Sequence, residues 1–235
     1  FFFTQMTAYE ILSGLVGSEM CIRDSIFDWS GTLVDDLEAV WRSTNYTLQR
    51  SGVPEMSLTE FRAEFSLPFD EFYARVTPDV SLEQLEIWYK ERFIEEQQTV
   101  RALPHAEAFF GFCRSEGMQM FLLSTIHPDH YRVQSKNVNF RFDREYVRVM
   151  DKRLKIREII EENKLTANET VFIGDMQHDI ETAKAGGIYS CAVLTGYNTA
   201  SQLAEAQPDL TVNDLSELHQ QWETHGANLK ACCDE

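Results

Sequence analysis

The sequence predicts an α/β protein in which a doubly wound parallel sheet carries a small inserted α-helical domain. Short apolar strands alternate with helical segments from residue 101 onward, and such alternation is typical of parallel sheets. A block of helical character, residues 37–100, separates this region from one earlier strand. Polar and acidic residues directly follow several strands, as expected where the carboxyl ends of parallel strands form a binding site.

The amino-acid composition and net charge limit the classes of binding partner that we expect. The 235-residue chain is 43% hydrophobic, enough for a buried core, and its net charge is −17. An acidic surface repels nucleic-acid phosphates and anionic lipids, so we expect neither a nucleic-acid nor a membrane partner. A small anionic substrate is compatible with this charge, because local cations or a metal can reverse the field inside one pocket.

Cysteine usage and hydropathy predict a cytoplasmic protein. The five cysteines include no C-x-x-C pair, so they indicate neither a zinc site nor a disulfide framework. Such usage is typical of a reducing compartment. No apolar run reaches the roughly 18 residues of a membrane-spanning helix. The cysteines are Cys21, Cys113, Cys191, Cys232 and Cys233.

The first 24 residues are predicted not to belong to the natural protein. The segment LVGSEMCIRDS, residues 15–25, resembles the translated adapter of a sequencing library. A genuine N-terminal helix is the alternative. A signal peptide is disfavoured, because the segment lacks a basic start and Glu10 interrupts its apolar run. On this interpretation the first strand has lost its natural beginning.

The stretch SIFDWSGTLVDD, residues 25–36, predicts the first strand and the start of a helix. The strand ends in Asp28, and a small residue and a Gly-Thr pair follow it. Either Asp35 or Asp36 can then cap a helix over residues 37–51, whose apolar residues have helical spacing.

The rest of the chain divides into a helical block and an alternating region. Residues 57–98 are rich in Phe, Tyr and Glu and contain two prolines, which predicts three or four short helices. Ser57 and Ser81 begin capping-box patterns there. Strands are predicted at residues 118–124, 146–150, 170–175, 190–194 and 209–212. Helices are predicted at residues 105–115, 128–137, 152–163, 180–185, 200–206 and 216–222, followed by a loose tail, residues 223–235.

Five polar residues lie where predicted strands end or the next helices begin: Asp28, Ser124, Lys152, Asp175 and Asp179. A carboxylate such as Asp28 can attack phosphorus and form an aspartyl-phosphate. Asp175 and Asp179 are four residues apart and can face the same point. Three converging carboxylates repel one another, and a hard divalent cation such as Mg²⁺ satisfies them. The acids therefore predict a phosphate site with a metal.

The two remaining residues suit the same chemistry. Ser124 and neighbouring backbone amides can bind phosphoryl oxygens, and Lys152 can neutralise the charge that develops during transfer. Each of the five residues also has a structural interpretation, as a strand-end cap, a turn former, a helix cap or a solvated lysine. Their joint occurrence in this order favours the phosphate site.

Four motifs resemble those of the haloacid dehalogenase-like hydrolases. DWSGT matches the D-x-D-G-T motif of that family except at Ser30, and MFLLS ends an apolar strand in Ser124. Lys152 matches the lysine at a helix start, with Lys155 as the alternative. GDMQHD matches G-D-x-x-x-D in full and is followed by the helix and glycine pair IETAKAGG. The resemblance covers residues 25–218.

This resemblance implies a fold, a reaction and a set of roles. The core, residues 25–36 and 101–222, would be Rossmann-like, and residues 37–100 would form a mobile cap. The reaction would be Mg²⁺-dependent hydrolysis of a small phosphorylated metabolite through an aspartyl-phosphate; no oligomeric state is implied. The implied catalytic residues are Asp28, Ser30 and Lys152, the phosphate-binding residues are Gly31, Thr32, Ser124 and Thr125, and the metal ligands are Asp28, Ser30, Asp175 and Asp179.

The helical block resembles that of the phosphoglycolate phosphatase-like branch of the family. Arg62 and Arg75 are candidate substrate contacts there, with solvated surface residues as the alternative. Trp29 is predicted to pack rather than to stack on a substrate. Three histidines near the motifs could act as bases, although structural roles are favoured: His127, His130 and His178.

Ser30 departs from the family pattern at the residue that usually transfers protons. In related phosphatases an aspartate at this position protonates the leaving oxygen and then activates water. A serine hydroxyl is far too weak an acid and base for this at neutral pH, and losing such a group costs about 10²–10⁴-fold in rate. The backbone carbonyl of Ser30 can still bind the metal. We expect Ser30→Asp to raise turnover unless another group already fills the role.

Three hypotheses follow from Ser30. The first is a phosphatase that uses another acid or a substrate with a good leaving group. The second is a weakly active or phosphate-binding relative. The third is a C–P hydrolase similar to phosphonoacetaldehyde hydrolases, which have alanine in place of this serine and a Schiff-base lysine in the cap. Lys90 is the only lysine between Asp36 and Val100, and we expect it to lie too far along the cap.

Overall fold

The computed structural model of the protein describes residues 22–225. Predictions for residues 1–21, with Cys21, and for residues 226–235, with Cys232 and Cys233, lie outside this range. The predicted fold class is confirmed, because six parallel strands form one sheet whose two faces are covered by helices. Within the described range, no helix is both long and apolar enough to cross a membrane.

The strands form one large and one very small sheet. The strands of the large sheet are β1 Asp24–Phe27, β4 Gln119–Leu123, β5 Arg144–Tyr146, β6 Thr170–Gly174, β7 Tyr189–Val193 and β8 Leu210–Val212. Their order is β5-β4-β1-β6-β7-β8, and every neighbouring pair is parallel. Strands β2 Val34–Asp35 and β3 Arg101–Ala102 pair antiparallel. The chain enters and leaves the helical block through this second pair, which the sequence did not predict.

Ten α-helices lie within the described residues. Four of them form the helical block: α1 Leu37–Arg50, α2 Leu58–Glu64, α3 Phe69–Val76 and α4 Leu82–Glu96. The others are α5 Ala106–Ser115, α6 Pro128–Gln134, α7 Lys152–Asn163, α8 Gln177–Gly186, α9 Ala200–Glu205 and α10 Leu215–His225. Ser57 begins α2 with the predicted capping box, in which it exchanges hydrogen bonds with Glu60.

Alternate strand residues face opposite sides of the sheet, as the period of two requires. Phe27 packs on one side with Phe109 of α5 and Trp222 of α10. Its neighbour Ile26 packs on the other side with Ile156 of α7. Burial of both faces explains the near-continuous apolar strands. The packing also fixes the carboxyl ends of the strands along a common edge.

The edge strand lies earlier than predicted. The prediction of a strand over residues 146–150 is wrong beyond its first residue, because β5 ends at Tyr146 and pairs with β4. Arg148 has a φ of 57°, a left-handed conformation that an extended strand does not allow. An edge strand has one neighbour, so this pairing, rather than the apolar residues, sets its bounds.

Both ends of the described region are more regular than predicted. Ile22 is 3% exposed, and Asp24 begins β1, so residues 22–24 pack as part of the sheet domain. The non-natural origin of residues 1–24 stays a prediction. Helix α10 continues to His225, so the prediction of a loose tail is wrong for residues 223–225. This helix packs its apolar side against the sheet.

Candidate active site

Two central strands carry the site. Strands β1 and β6 are neighbours, and the chain adds β4 and β5 on one side of them and β7 and β8 on the other. A crevice forms at the carboxyl ends of the strands where the winding reverses. Asp28 follows β1 and Asp175 follows β6, so both lie at this crevice.

Three buried carboxyl groups and one buried ammonium meet there. Oxygens of Asp28, Asp175 and Asp179 lie within 4.8 Å of one another. Lys152 Nζ lies 2.6 Å from Asp28 Oδ1 and 2.7 Å from Asp179 Oδ1, and its side chain is 0% exposed. The predicted convergence of these four residues is therefore present, and it joins β1 and β6 to the first turns of α7 and α8.

Lys152, and not Lys155, contacts the acids. The side chain of Asp151 accepts a hydrogen bond from the backbone of Arg153 and caps α7, so Lys152 is the first helical residue. Lys155 pairs with Glu158 on its own helix instead. The position of the cap thus decides which lysine reaches the crevice.

Burial and the charges of neighbouring acids raise the pKa of Asp28 and of Asp175. Burial raises the pKa of Asp28 to about 6, although the Lys152 ammonium lowers it. Burial and the nearby Asp28 raise the pKa of Asp175 well above its usual value. Burial alone would lower the pKa of Lys152, but the carboxylates of Asp179 and Asp28 raise it above its usual range. The cluster carries more carboxyl groups than cations, a set that suits a divalent cation.

The loop after β1 approaches Asp175 closely at Gly31. Gly31 has a φ of +72°, and a Cβ on it would lie 2.5 Å from Asp175 Oδ2, so only glycine fits. Thr32 Oγ1 donates to Asp175 Oδ1 over 3.0 Å, and Tyr197 N donates to Oδ2 over 2.7 Å. Gly31 and Thr32, predicted to bind phosphate, thus position a predicted metal ligand in this structure.

A cavity of about 380 Å³ opens from the crevice toward the helical block. Asp28 and Ser30 form part of its wall, together with side chains of α1, α3 and α4. Thr125 also lines it, after the end of β4. Ser124 is buried, and its Oγ accepts a hydrogen bond from Ile126 N over 3.3 Å. Phosphate binding by Ser124 or Thr125 stays a prediction.

Ser30 contacts Asp36, one of the two acids predicted as possible caps of α1. Ser30 Oγ donates to Asp36 Oδ2 over 2.6 Å, and Tyr197 Oη donates to Asp36 Oδ1 over 3.0 Å. Asp36 precedes α1 but makes no side-chain capping bond, so the alternative in which the Asp36 side chain caps this helix is wrong. Its side chain is buried and lies on the cavity wall with Asp28 and Ser30.

The Asp36 carboxyl is suited to proton transfer. Burial raises its pKa to about 7, although the hydrogen bonds from Ser30 and Tyr197 lower it. An acid with a pKa near the operating pH transfers protons efficiently. One signal in the sequence pointed here, namely an acid in the same loop as the substituted Ser30. Its partner Tyr197 lies 161 residues away, and no local pattern indicates it.

The three histidines have structural partners, and their pKa values are lowered. Lys152 N donates to His178 Nε2 over 3.2 Å. His130 Nδ1 lies 3.2 Å from Oε1 of the buried Gln97. Burial lowers the pKa of His178 and His130 to about 4. His127 caps α6 by accepting from Asp129 N, and burial lowers its pKa as well. His127 and His130 also line the cavity.

Arg62 and Arg75 bind backbone oxygens and are not among the side chains that line the cavity. Arg62 donates to Tyr197 O over 3.0 Å and to Asn198 O over 3.1 Å, which ties α2 to the loop after β7. Arg75 donates to Glu64 O over 2.8 Å within the helical block. These contacts favour structural roles over substrate contacts.

Two further predictions concern side chains near the crevice. Trp29 is confirmed as a packing residue, because it is fully buried and donates to Gln134 Oε1 over 2.6 Å. Lys90 lines the same cavity as Asp28, and the prediction that it lies too far along the cap to act there stays a prediction. Its side chain is 52% exposed, and its Nζ lies 3.5 Å from Asp129 Oδ2.

Comparison with known proteins gives related sequences and folds. A family model described as haloacid dehalogenase-like hydrolase matches residues 25–193. A 5'-nucleotidase of Pseudomonas aeruginosa is 25% identical over 219 residues, which cover 85% of this chain and 95% of that protein. A phosphoglycolate phosphatase of Vibrio cholerae is 35% identical over 60 residues, which cover 26% of each chain. A solved structure described as a predicted phosphatase of Clostridium acetobutylicum has a TM-score of 0.76 at 18% identity, and the match covers 86% of this chain and 99% of that one.

Proposed function

The chain belongs to the haloacid dehalogenase-like hydrolases, and from that premise we propose that it is a phosphatase for a small phosphorylated metabolite. The proposed reaction is Mg²⁺-dependent and passes through an aspartyl-phosphate on Asp28. The observation that carries this proposal is the buried cluster in which Lys152 bridges Asp28 and Asp179 beside Asp175. Burying several charged groups together costs desolvation free energy. Such clusters of perturbed titratable groups are typical of functional sites.

The residues present fit a magnesium ion. The three clustered carboxyl groups offer hard oxygen ligands close together, and their negative charge exceeds that of the Lys152 ammonium. We propose Asp28, Asp175, Asp179 and the backbone carbonyl of Ser30 as the ligands. When bound, Mg²⁺ would neutralise negative charge on the phosphoryl group.

Asp28 is the proposed nucleophile. One of its carboxylate oxygens attacks phosphorus, and the bond from phosphorus to the leaving oxygen breaks. Lys152, 2.6 Å from Asp28 Oδ1, holds this carboxylate in the ionised form and offsets charge in the transition state. Gly31 and Thr32 keep Asp175 in place, and Ser124 and Thr125 are proposed to contact phosphoryl oxygens.

Asp36 is the proposed source and acceptor of protons, acting through Ser30. As the leaving group departs, Ser30 Oγ gives its proton to the leaving oxygen and takes one from the Asp36 carboxyl. In the second half-reaction a water molecule attacks phosphorus and releases Asp28. The proton of this water passes to Ser30 Oγ, whose own proton passes to Asp36. The 2.6 Å contact between Ser30 Oγ and Asp36 Oδ2 supports this relay.

The helical block, residues 37–100, is proposed as a cap over the core residues 25–36 and 101–222. A cap that closes over a site excludes water and contacts the leaving group. The names of the relatives suggest nucleoside phosphates and phosphoglycolate as substrates. The net charge of −17 supports a small molecule rather than nucleic acid, and the cysteine usage supports a cytoplasmic location.

Turnover of two activated substrates tests this function. The full chain is incubated with Mg²⁺ and either acetyl phosphate or p-nitrophenyl phosphate, and phosphate release is measured. We expect Asp28→Asn to lower turnover by at least about 10³-fold. Asp35→Asn is the matched control, because Asp35 is an exposed acid of β2 in the same segment between β1 and α1, and it should keep the wild-type rate. Equal rates for both variants would refute Asp28 as the nucleophile, and stable labelling of Asp28 without release would favour a phosphate-binding relative.

Hydrolysis of a C–P bond is a second candidate, favoured by the place of Lys90 on the cavity wall. Its amine would have to form a Schiff base with an aldehyde substrate. The test is phosphate release from phosphonoacetaldehyde by wild type, Lys90→Ala and Lys136→Ala. Release that only Lys90→Ala abolishes would support this reaction, and absence of release from wild type would exclude it for this substrate.

A further inference from the structure

The cavity beside Asp28 extends beyond the space that a phosphoryl group at Asp28 would occupy. Its volume of about 380 Å³ lies in the range of small-molecule sites. Asp28 and Ser30 form one part of the wall, and α1, α3 and α4 supply residues such as Thr44, Tyr73 and Leu85. A phosphoryl group held at Asp28 would therefore leave the rest of its substrate inside this cavity.

Six aromatic side chains form part of the wall, and they come from separate apolar clusters. The rings of Phe65 and Tyr197 lie 5.6 Å apart, and Tyr197 packs with α2. Tyr89 stacks on Phe93 at 5.1 Å as part of the main core. Aromatic faces and edges bind other rings at such distances with favourable geometry. The six aromatic residues of the wall are Phe65, Phe69, Tyr73, Tyr89, Phe93 and Tyr197.

The charges of the wall disfavour a second anionic group on the substrate. Among the described residues that line the cavity, the buried titratable groups are acids, tyrosines and the uncharged His130. The two cations, Lys90 and Arg148, are exposed at the rim. Lys90 is already paired with Asp129. A carboxylate on the leaving group would thus meet Asp36 without a buried cation, at a cost in desolvation.

We propose that this cavity binds the leaving group of the substrate and selects an uncharged aromatic group. Aromatic phosphomonoesters are then the preferred substrate class. This inference rests on the proposed phosphatase function and gives it a substrate class. A small carboxylate-bearing group such as glycolate would leave most of the aromatic wall unfilled.

Two alkyl phosphates test the preference in turnover. Benzyl phosphate and ethyl phosphate release alcohols of similar acidity, so their difference reports on the cavity rather than on the leaving-group chemistry. We expect kcat/KM for benzyl phosphate to exceed that for ethyl phosphate by at least about 10-fold. Phosphoglycolate should be no better than ethyl phosphate. Equal values for the first two, or a preference for phosphoglycolate, would overturn the proposal.

A binding measurement separates this inference from the proposed reaction. Benzylphosphonate and ethylphosphonate are not hydrolysed, and calorimetry with the full chain and Mg²⁺ gives their Kd. We expect benzylphosphonate to bind at least about 10-fold more tightly; equal Kd values, or no binding, would overturn the inference. Acetyl phosphate turnover tests the reaction separately. Tight benzylphosphonate binding without that turnover would refute the phosphatase and retain the aromatic site.

Removal of one ring tests the wall itself. Phe65→Leu should lower the ratio of benzyl to ethyl binding by about 3–10-fold, because a ring contact is lost while apolar volume is largely kept. Phe112→Leu is the control, because Phe112 lies on α5 and packs against His219 instead. If circular dichroism shows that Phe65→Leu is unfolded, Phe69→Leu replaces it. An unchanged ratio in the folded cavity variant would contradict the aromatic wall.

Discussion

The segment between β1 and α1 buries a carboxyl group at each of its ends, but the surroundings of the two groups differ. Asp28 lies 2.6 Å from the Lys152 ammonium, whereas Asp36 accepts hydrogen bonds from the hydroxyls of Ser30 and Tyr197. Burial raises the pKa of Asp28 to about 6 and that of Asp36 to about 7. Different surroundings can therefore give two carboxyl groups the separate roles of nucleophile and proton-transfer group.

Removal of the Lys152 ammonium tests the surroundings of Asp28 and should have the largest effect on the free energy of unfolding. Lys152→Met leaves three carboxyl groups buried together without an ammonium. We expect the free energy of unfolding to fall by about 3–5 kcal/mol in urea titrations without Mg²⁺. Lys155→Met removes a more exposed lysine of the same helix and should cost less than about 1 kcal/mol. Equal losses would contradict a special role for the buried ammonium.

The pH dependence of stability tests the surroundings of Asp36. In the folded protein burial raises the pKa of Asp36 from 3.8 to about 7, so folded Asp36 keeps a proton that the unfolded chain has lost. The free energy of unfolding should therefore fall as pH rises from about 4 to 7. Asp36→Asn lacks this titration, so wild type should lose on the order of 3 kcal/mol relative to the variant across that window. Urea midpoints at both ends of the window measure this, and a constant difference would refute a neutral buried Asp36.

Gly31 tests how closely the loop between these two acids packs. Gly31 and Gly52 both have a positive φ, but a Cβ on Gly31 would lie 2.5 Å from Asp175, whereas nothing lies within 4 Å of one on Gly52. We expect Gly31→Ala to lower the free energy of unfolding by about 2–3 kcal/mol and Gly52→Ala by about 1 kcal/mol. Thermal or urea unfolding of both variants measures the difference. Equal losses in the free energy of unfolding would mean that Asp175 moves away from the added methyl group without a cost in free energy.

The hydroxyl of Tyr197 carries the smallest expected effect. Tyr197→Phe removes the 3.0 Å hydrogen bond to Asp36 Oδ1 and keeps the buried ring. One neutral hydrogen bond is worth about 1 kcal/mol, so we expect turnover to fall by about 3–10-fold. Tyr146→Phe removes a hydroxyl that donates to Glu162 away from the site and is the control. Steady-state rates with p-nitrophenyl phosphate measure both, and a wild-type rate for Tyr197→Phe would separate Tyr197 from catalysis.

The place of Asp28 in the site could be predicted from the sequence, whereas the place and the partners of Asp36 could not. Asp28 and Asp175 end apolar strands, and Lys152 begins a helix, so local patterns place all three at the crevice. Asp36 lies before a helix and therefore resembles a cap. Its actual partner, Tyr197, comes from the loop after β7, and only the folded chain brings them together.

The strands show the same contrast between features that local sequence patterns predict and features that only tertiary pairing sets. Strands β1, β6 and β7 are apolar runs buried on both faces, and each was predicted within a residue or two. Strand β5 lies at the edge of the sheet, where pairing with β4 rather than burial sets its bounds. Strands β2 and β3 have two residues each, too few for a periodic pattern. The aromatic cavity wall combines rings of α3 and α4 with one ring that follows α2 and one that follows β7, so it depends on tertiary packing and has no local sequence pattern.

Rapid-quench labelling tests the central claim, that Asp36 acts through Ser30 in place of the missing acid. Acetyl phosphate labelled with ³²P is mixed with wild type, Asp36→Asn and the control Asp35→Asn in Mg²⁺, and label on Asp28 is followed with time. Acetyl phosphate needs little help from an acid, so Asp28 should still be phosphorylated in Asp36→Asn while hydrolysis slows by about 10²–10⁴-fold. We expect labelled Asp28 to accumulate in Asp36→Asn alone, and we expect the added substitution Ser30→Asp to remove this label. A wild-type rate without accumulated label in Asp36→Asn would contradict the central claim.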